Sequence, residues 1–237
     1  PETLELINRL VLEEARLQKV ENGRKVRVDC TVVESNIHHP TDSSLLYDCV
    51  RVLAREMEAS RCQDGTIFTN HTRRAKRRAL GILNAKRKKK RRELYQDLLL
   101  VTRNTLGMAE NMVIAGCDFV LRVKLLRVIR LTKRVISQTE RRVLLGEAVP
   151  AGEKVVSIFE DHTDIIVKDR RDTYYGHKIC LTTGTSGMFL DCVVEDGNPA
   201  DSALACEMID RQKVIYGRPP RQAAYDGGFA SRENLKN

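Results

Sequence analysis

The stretch VRVDCTVVESNIHHPTDSSLL, residues 26–46, changes grammar halfway along. Val26, Val28 and Cys30 alternate as one face of a strand does, and Asp29 falls out of phase with them. After Glu34 the chain turns polar, passes Pro40, and regains an apolar pattern at Leu45. A carboxylate in mid-strand is costly unless a positive group meets it. What Asp29 faces therefore decides what the strand is for.

Working outward, TLELINRLVLEEARLQK (3–19) sets Leu4, Ile7, Leu10 and Val11 at helical spacing, with Gly23 as a stop. From Ser43 to about Leu145 the composition is helical, and the pattern predicts helices over 43–59, 73–107 and 109–146, with a polar break near 63–70. Asp42 is placed to cap the first of them. LGEAVPAG (145–152) closes this region with turn formers. TYYGHKICLTTG (173–184) and MFLDCVVEDG (188–197) then read as a hairpin joined through Gly184 and Gly187. NPADSALACEMIDRQKVIYG (198–217) reads as a helix bracketed by Pro199 and Gly217, and RQAAYDGG (221–228) as a short strand ending in Asp226 and two glycines. The order strand, helical insert, hairpin, helix, strand is an α/β arrangement interrupted once.

The chain carries a formal net charge of +9, unevenly spread. Residues 71–142 hold 21 Lys or Arg against five acids, a local excess of +16 that leaves −7 for the rest. RRAKRRALGILNAKRKKKRR (73–92) alone has 12 cations in 20 positions: Arg73, Arg74, Lys76, Arg77, Arg78, Lys86, Arg87, Lys88, Lys89, Lys90, Arg91 and Arg92. No acid interleaves before Glu93, so the segment repels itself without a counter-charge, and phosphate is the obvious relief. It contains no aromatic residue, which favours contact with the backbone of double-stranded DNA over stacking on single strands. Its apolar side is too small for a membrane helix, no apolar run approaches the roughly 20 residues of a span, and the location expected is cytoplasmic. The seven cysteines include no CxxC pair and read as reduced thiols, several of them small buried hydrophobes. The apolar positions Phe119, Val120, Val123, Leu125, Leu126, Val128 and Ile129 fit either internal packing of the insert or a dimer seam.

Asp29 and Asp226 are the two acids on strands expected near the middle of the sheet. Two adjacent carboxylates repel unless a cation lies between them, and glycines after the second suit close approach of a ligand to Mg2+. A strand-end Asp before Gly-Gly is equally an ordinary turn.

Three blocks in order, VRVDCTVVESNIHHPTDSSLL (26–46), DRRDTYYGHKICLTTGTSGMFLDCVVEDGNPADS (169–202) and RPPRQAAYDGGFAS (218–231), resemble the DDE-type transposases of bacterial insertion sequences. The resemblance implies an RNase H-like mixed sheet interrupted by a long, mostly helical basic insert. On that reading residues 1–24 are an N-terminal helix, 25–45 the first catalytic strand and loop, 46–152 the insert, and 153–237 the rest of the core. It implies Asp29 and Asp226 as the first two catalytic, metal-holding carboxylates of DNA transposition. Two Mg2+ or Mn2+ ions, double-stranded DNA as transposon ends and target, a homodimer, and a nucleoid-associated bacterial setting come with it. The family's catalytic Glu lies on a later helix; Glu233 follows Asp226 by only seven residues and does not match it, so the sequence reads as a partial or inactive enzyme. Asn36, His38, His39 and Lys178 fall at the expected periphery of the site, against plainer readings as a solvated loop and a solvent-facing strand residue. Asp191 reads as a wet-face strand residue and Asp201 as an acid favoured by a helix dipole. Two rivals stand beside the transposase: a non-catalytic duplex-binding remnant acting through the basic insert, and another metal-dependent phosphohydrolase on a related sheet.

Overall fold

The computed structural model describes residues 2–64, 67–168 and 172–234, with side chains left out at residues 2 and 60–64. It is a mixed α/β chain that divides into two compact units, one of residues 1–35 and 164–237 and one of 36–163.

In the first unit, helix α1 (Glu2–Leu17) leads through Gly23 to strand β1 (Lys25–Glu34). After the second unit come β2 (Asp164–Lys168), β3 (Asp172–Gly184), β4 (Phe189–Val194), helix α6 (Asp201–Tyr216), β5 (Gln222–Ala224) and a 3-10 turn at Gly227–Phe229. β1 runs antiparallel to β3, with Asp29 opposite Leu181 and Cys30 opposite Cys180. β2 and β4 take successive stretches of the other edge of β3, and β5 lies parallel to β1 with Arg27 opposite Ala224. Gly176 sits where β1 and β2 meet on β3, and a Cβ there would run into the Val33 carbonyl, so the close approach requires glycine.

Period-two alternation sends Val26, Val28 and, across the ladder, Cys180 to one face. Leu204, Ala205 and Met208 of α6 with Phe229 cover Val28 and Cys180, while Leu12 of α1 and Tyr216 cover Val26 and Leu190. The hairpin and the helix ending at Gly217 match the sequence reading; β2 does not, because its five residues carry no clear alternation. α1 is a helix as expected, but Leu4, Ile7, Leu10 and Val11 are exposed and Leu12 and Ala15 make its buried contacts.

Two polar devices hold this unit. Glu21, 2% exposed, accepts hydrogen bonds from the amides of Asn22, Gly23 and Ser186 and from the Ser186 hydroxyl. Burial raises its pKa, but these four donors outweigh that and hold the carboxyl below its ordinary 4.5. A depressed folded-state value gives stability that is present above the unfolded pKa and lost as pH falls through the folded one. Glu21→Gln is therefore expected to cost about 2 to 3 kcal/mol at neutral pH and to flatten the acid limb of the denaturation curve below pH 4.5, as followed by urea melts across pH.

The second device corrects the reading of Asp191, which is 7% exposed rather than on a wet face. It receives Arg211 of α6 side-on, at 2.6 Å from Nε and 2.9 Å from a terminal nitrogen. A bulge at Thr182/Thr183 shifts the β3–β4 register and sets Asp191 opposite Thr182, on the covered face. Arg211→Ala strands a buried carboxylate and is expected to destabilise the chain by about 3 to 5 kcal/mol in a thermal or denaturant melt.

The second unit is helical: α2 (Asp42–Asp64), α3 (Thr72–Asn84), α4 (Lys88–Ala115) and α5 (Phe119–Thr139), the last running into a π-helical turn, Glu140–Leu145. Leu46, Val50, Leu53 and Met57 of α2 meet Ala75, Ala79 and Ile82 of α3, Leu98 and Leu99 of α4, and Leu125, Leu131 and Val135 of α5 in one core. Thr41, not Asp42, caps α2: its hydroxyl accepts from the Ser44 amide while its own amide donates to the Ser44 hydroxyl, a reciprocal box. Asp42 is instead buried against Arg142 at 3.1 Å.

The two long helices expected at 73–107 and 109–146 are three. Ala85–Arg87 breaks the first, and Gly116, at φ 97°, with Asp118 capping α5 through the amides of Val120 and Leu121, sets the second break further on than expected. Gly107 is carried inside α4. Along α5, Leu125, Val128 and Ile129 are buried in the helical core, whereas Phe119, Val120, Val123 and Leu126 are exposed. No helix among the described residues is long and apolar enough to cross a membrane. The six cysteines with described side chains are free thiols, and burial pushes that of Cys49 up to about 12; Cys62 lies outside the described side chains.

Candidate functional site

Asp29 leaves the sheet on the face turned away from α6, as alternation from Val28 demands. Its carboxylate is half-exposed and meets the guanidinium of Arg27, two residues back on the same face, at 3.0 Å. That is the positive group a mid-strand carboxylate calls for. The β1–β5 ladder ends where Arg27 pairs with Ala224 in parallel register; Asp29 lies two residues further along β1 and Asp226 two residues beyond the end of β5. Asp226 keeps extended backbone (φ −79°, ψ 174°), caps the 3-10 turn, and accepts the Gly228 amide at 2.8 Å. The two aspartates are 197 residues apart in the chain, one on β1 and one just past the end of β5, each carboxylate with its own local partner.

A cleft of about 430 Å3 opens beside Asp226, lined among others by Thr31, Lys178, Asn198, Asp201 and Gly228. Lys178 overturns its plainer reading as solvent-facing: it is 7% exposed, ion-paired with Asp201, and donates to the Pro199 carbonyl at 2.5 Å. Register explains this, because Lys178 lies two residues before Cys180 on the covered face of β3. Asp201 is the first residue of α6, where a negative charge suits the helix end, and its second role toward Lys178 had no local sequence signal. A Cβ built on Gly228 would lie 3.0 Å from one Asp201 oxygen and 3.1 Å from an Asp226 oxygen. A side chain at 228 would press on both carboxylates, each of which would have to give by a few tenths of an ångström.

Asn36, His38 and His39 belong to the helical unit. Nε2 of His38 is 3.3 Å from the buried Asp48 carboxylate, which also receives Arg51 at 2.9 Å. Among the described residues no group of three or more His, Cys, Asp or Glu is arranged around a common point for a metal ion. Asp226 borders the cleft together with Lys178 and Asp201, whereas Asp29, on the opposite face of β1, is not among the residues that line it; each carboxylate is a hard oxygen donor of the kind Mg2+ or Mn2+ takes.

The basic segment spreads over three elements. Arg73, Arg74, Lys76, Arg77 and Arg78 lie on α3, Lys86 and Arg87 in the link, and Lys88, Lys89, Lys90, Arg91 and Arg92 in the first turns of α4. Arg74 and Arg78 both meet Asp97 of α4, holding its carboxyl low despite some burial, Lys90 meets Glu93 at 3.4 Å, and Arg91 donates to the Ala85 carbonyl at 2.8 Å. The remaining eight form no ion pair among the described residues, and all eight are exposed. Arg87 gives α4 no side-chain cap and no acid stands in its first turn, so cations crowd the positive end of a 28-residue helix.

Set against family models, curated proteins and solved structures, the chain finds no match in any of the three comparisons.

Proposed function

We propose that this chain is the catalytic region of a DDE-type transposase, acting on phosphodiester bonds of double-stranded DNA, with Asp29 and Asp226 as metal-holding carboxylates. The observation that carries the reading is that Asp29 on β1 and Asp226 just past β5 each follow by two residues the parallel pair Arg27 and Ala224, with Gly227 and Gly228 after the second. The order of elements implied by the resemblance, from first strand through insert, hairpin and helix to a last strand beside the first, supports it too. An RNase H-like core is the finer fold this order favours.

Mg2+ held there would supply Lewis-acid activation of a water or a DNA 3′-hydroxyl and charge neutralisation at the phosphate. The chain's own part is to keep the donors in place. Arg27 orients the Asp29 carboxylate, and the Gly228 amide fixes one Asp226 oxygen, leaving the other free to ligate. The test is nicking of supercoiled plasmid in Mg2+ or Mn2+, stopped by chelation, by a chain extended to include the family's catalytic Glu. Loss of nicking in Asp29→Asn and Asp226→Asn supports the assignment, and nicking unchanged in both refutes it.

A second reading has its own observation. The eight uncompensated cations of α3, the link and α4 offer a phosphate-binding surface that does not depend on the aspartates. A purely duplex-binding protein would bind DNA with steep salt dependence, with or without Mg2+ and with or without Asp29.

A further inference from the structure

We infer that Asp201 is a positioning residue of this site, holding the Lys178 ammonium where it receives a phosphodiester oxygen in the cleft beside Asp226. The inference rests on the transposase reading for the nature of the ligand, and on geometry for the rest. Lys178 reaches the cleft from β3 with its stem buried in the sheet face covered by α6. An ammonium has three protons. One goes to Asp201 and one to the Pro199 carbonyl, and both acceptors lie where the chain enters α6. The third remains for a ligand in the cleft that both residues line.

A lysine on a free stem would lose rotamer freedom each time it met a phosphate, whereas this one is ordered beforehand. The ion pair is also neutral as a unit, so it avoids the cost of a lone buried charge until an anion arrives. Asp201 serves by fixing the donor, not by touching the phosphate, and Gly228 keeps the floor between it and Asp226 clear. A merely structural pair, tying residues 199–201 to β3, would raise stability without responding to a ligand.

The experiment uses the whole chain labelled with 15N-lysine, observing the Lys178 side-chain nitrogen, assigned by its loss in Lys178→Arg. The probe is the dinucleoside monophosphate TpT with Mg2+. The expected result is a saturable shift of the Lys178 resonance in the wild type and in Asp201→Glu. In Asp201→Asn the shift is expected to vanish or to need about tenfold more TpT, the worth of one charge-assisted hydrogen bond. Thermal melts of each variant report folding. A Lys178 signal that stays still while TpT shifts other resonances, or an Asp201→Asn protein that shifts like the wild type, overturns the inference. Its failure is separable from that of the transposase reading: nicking lost in Asp226→Asn beside a silent Lys178 sinks only the role of Asp201, and a responsive Lys178 in a protein whose nicking ignores both aspartates leaves a phosphate site without transfer chemistry.

Discussion

In a chain extended to include the family's catalytic Glu, Asp226→Asn is expected to lower metal-dependent nicking by about a thousandfold, roughly 4 kcal/mol of transition-state stabilisation, while leaving the melting temperature within a degree or two. The separation follows from what the carboxylate does. Asp226 is exposed, and its recorded bond is to the Gly228 amide, which an asparagine oxygen accepts equally well at such a cap. The substitution therefore removes a negative charge and leaves the turn. A metal shell built on two protein carboxylates loses half its protein charge by that change, and hard cations bind charge first. Asp29→Asn should behave alike in nicking, but it also frees Arg27 from its 3.0 Å partner. The pair is exposed on both sides, so stability should move little there as well. Parallel plasmid-nicking and calorimetric measurements on both variants check this.

The second large effect concerns the basic segment. Replacing Lys88, Lys89 and Arg92 together with Gln is expected to weaken duplex binding about a hundredfold near physiological salt and to reduce the slope of log K against log salt by about 2.7. These three are chosen because they are exposed, have no recorded ion pair among the described residues, and stand in the first turns of α4, where the helix dipole already repels cations. Their loss should also stabilise the helical unit slightly. Arg74 and Arg78 behave differently, since each meets Asp97 across the α3–α4 contact. Removing those should trade some stability for a smaller loss of binding. Fluorescence-anisotropy titrations of a random-sequence duplex from 50 to 300 mM salt, about a sixfold range over which the slope is measurable, separate the two groups.

How much of this was legible in the sequence depends on the range of the interaction that decides each feature. Alternation in β1 and the glycines flanking the hairpin are local, so strand, hairpin, helix and closing strand were readable in order. Asp29 was readable as a strand-borne acid, whereas Asp226, expected to end the last strand, lies two residues past it and caps a 3-10 turn. The break at Ala85–Arg87 was not readable, because alanine, lysine and arginine all favour helix and only packing of α3 on α4 ends it there. The break at Gly116–Asp118 had a signal, a glycine followed by a capping acid, but Gly107 competed with it. Asp191 with Arg211 and Lys178 with Asp201 join residues about 20 apart through a sheet register that a bulge alters, so polar side chains read as solvated turned out buried and paired.

Everything catalytic in this account depends on one ion being shared between β1 and the end of β5. Titrating Mn2+ into 15N-labelled protein and following paramagnetic broadening of backbone amides tests that sharing without relying on turnover. Amides around Asp29 and those of 226–228 are expected to broaden together at the lowest metal additions, and Asp29→Asn or Asp226→Asn to abolish both effects at once. Broadening at only one of the two segments, or at both in a protein lacking either carboxylate, would contradict such sharing.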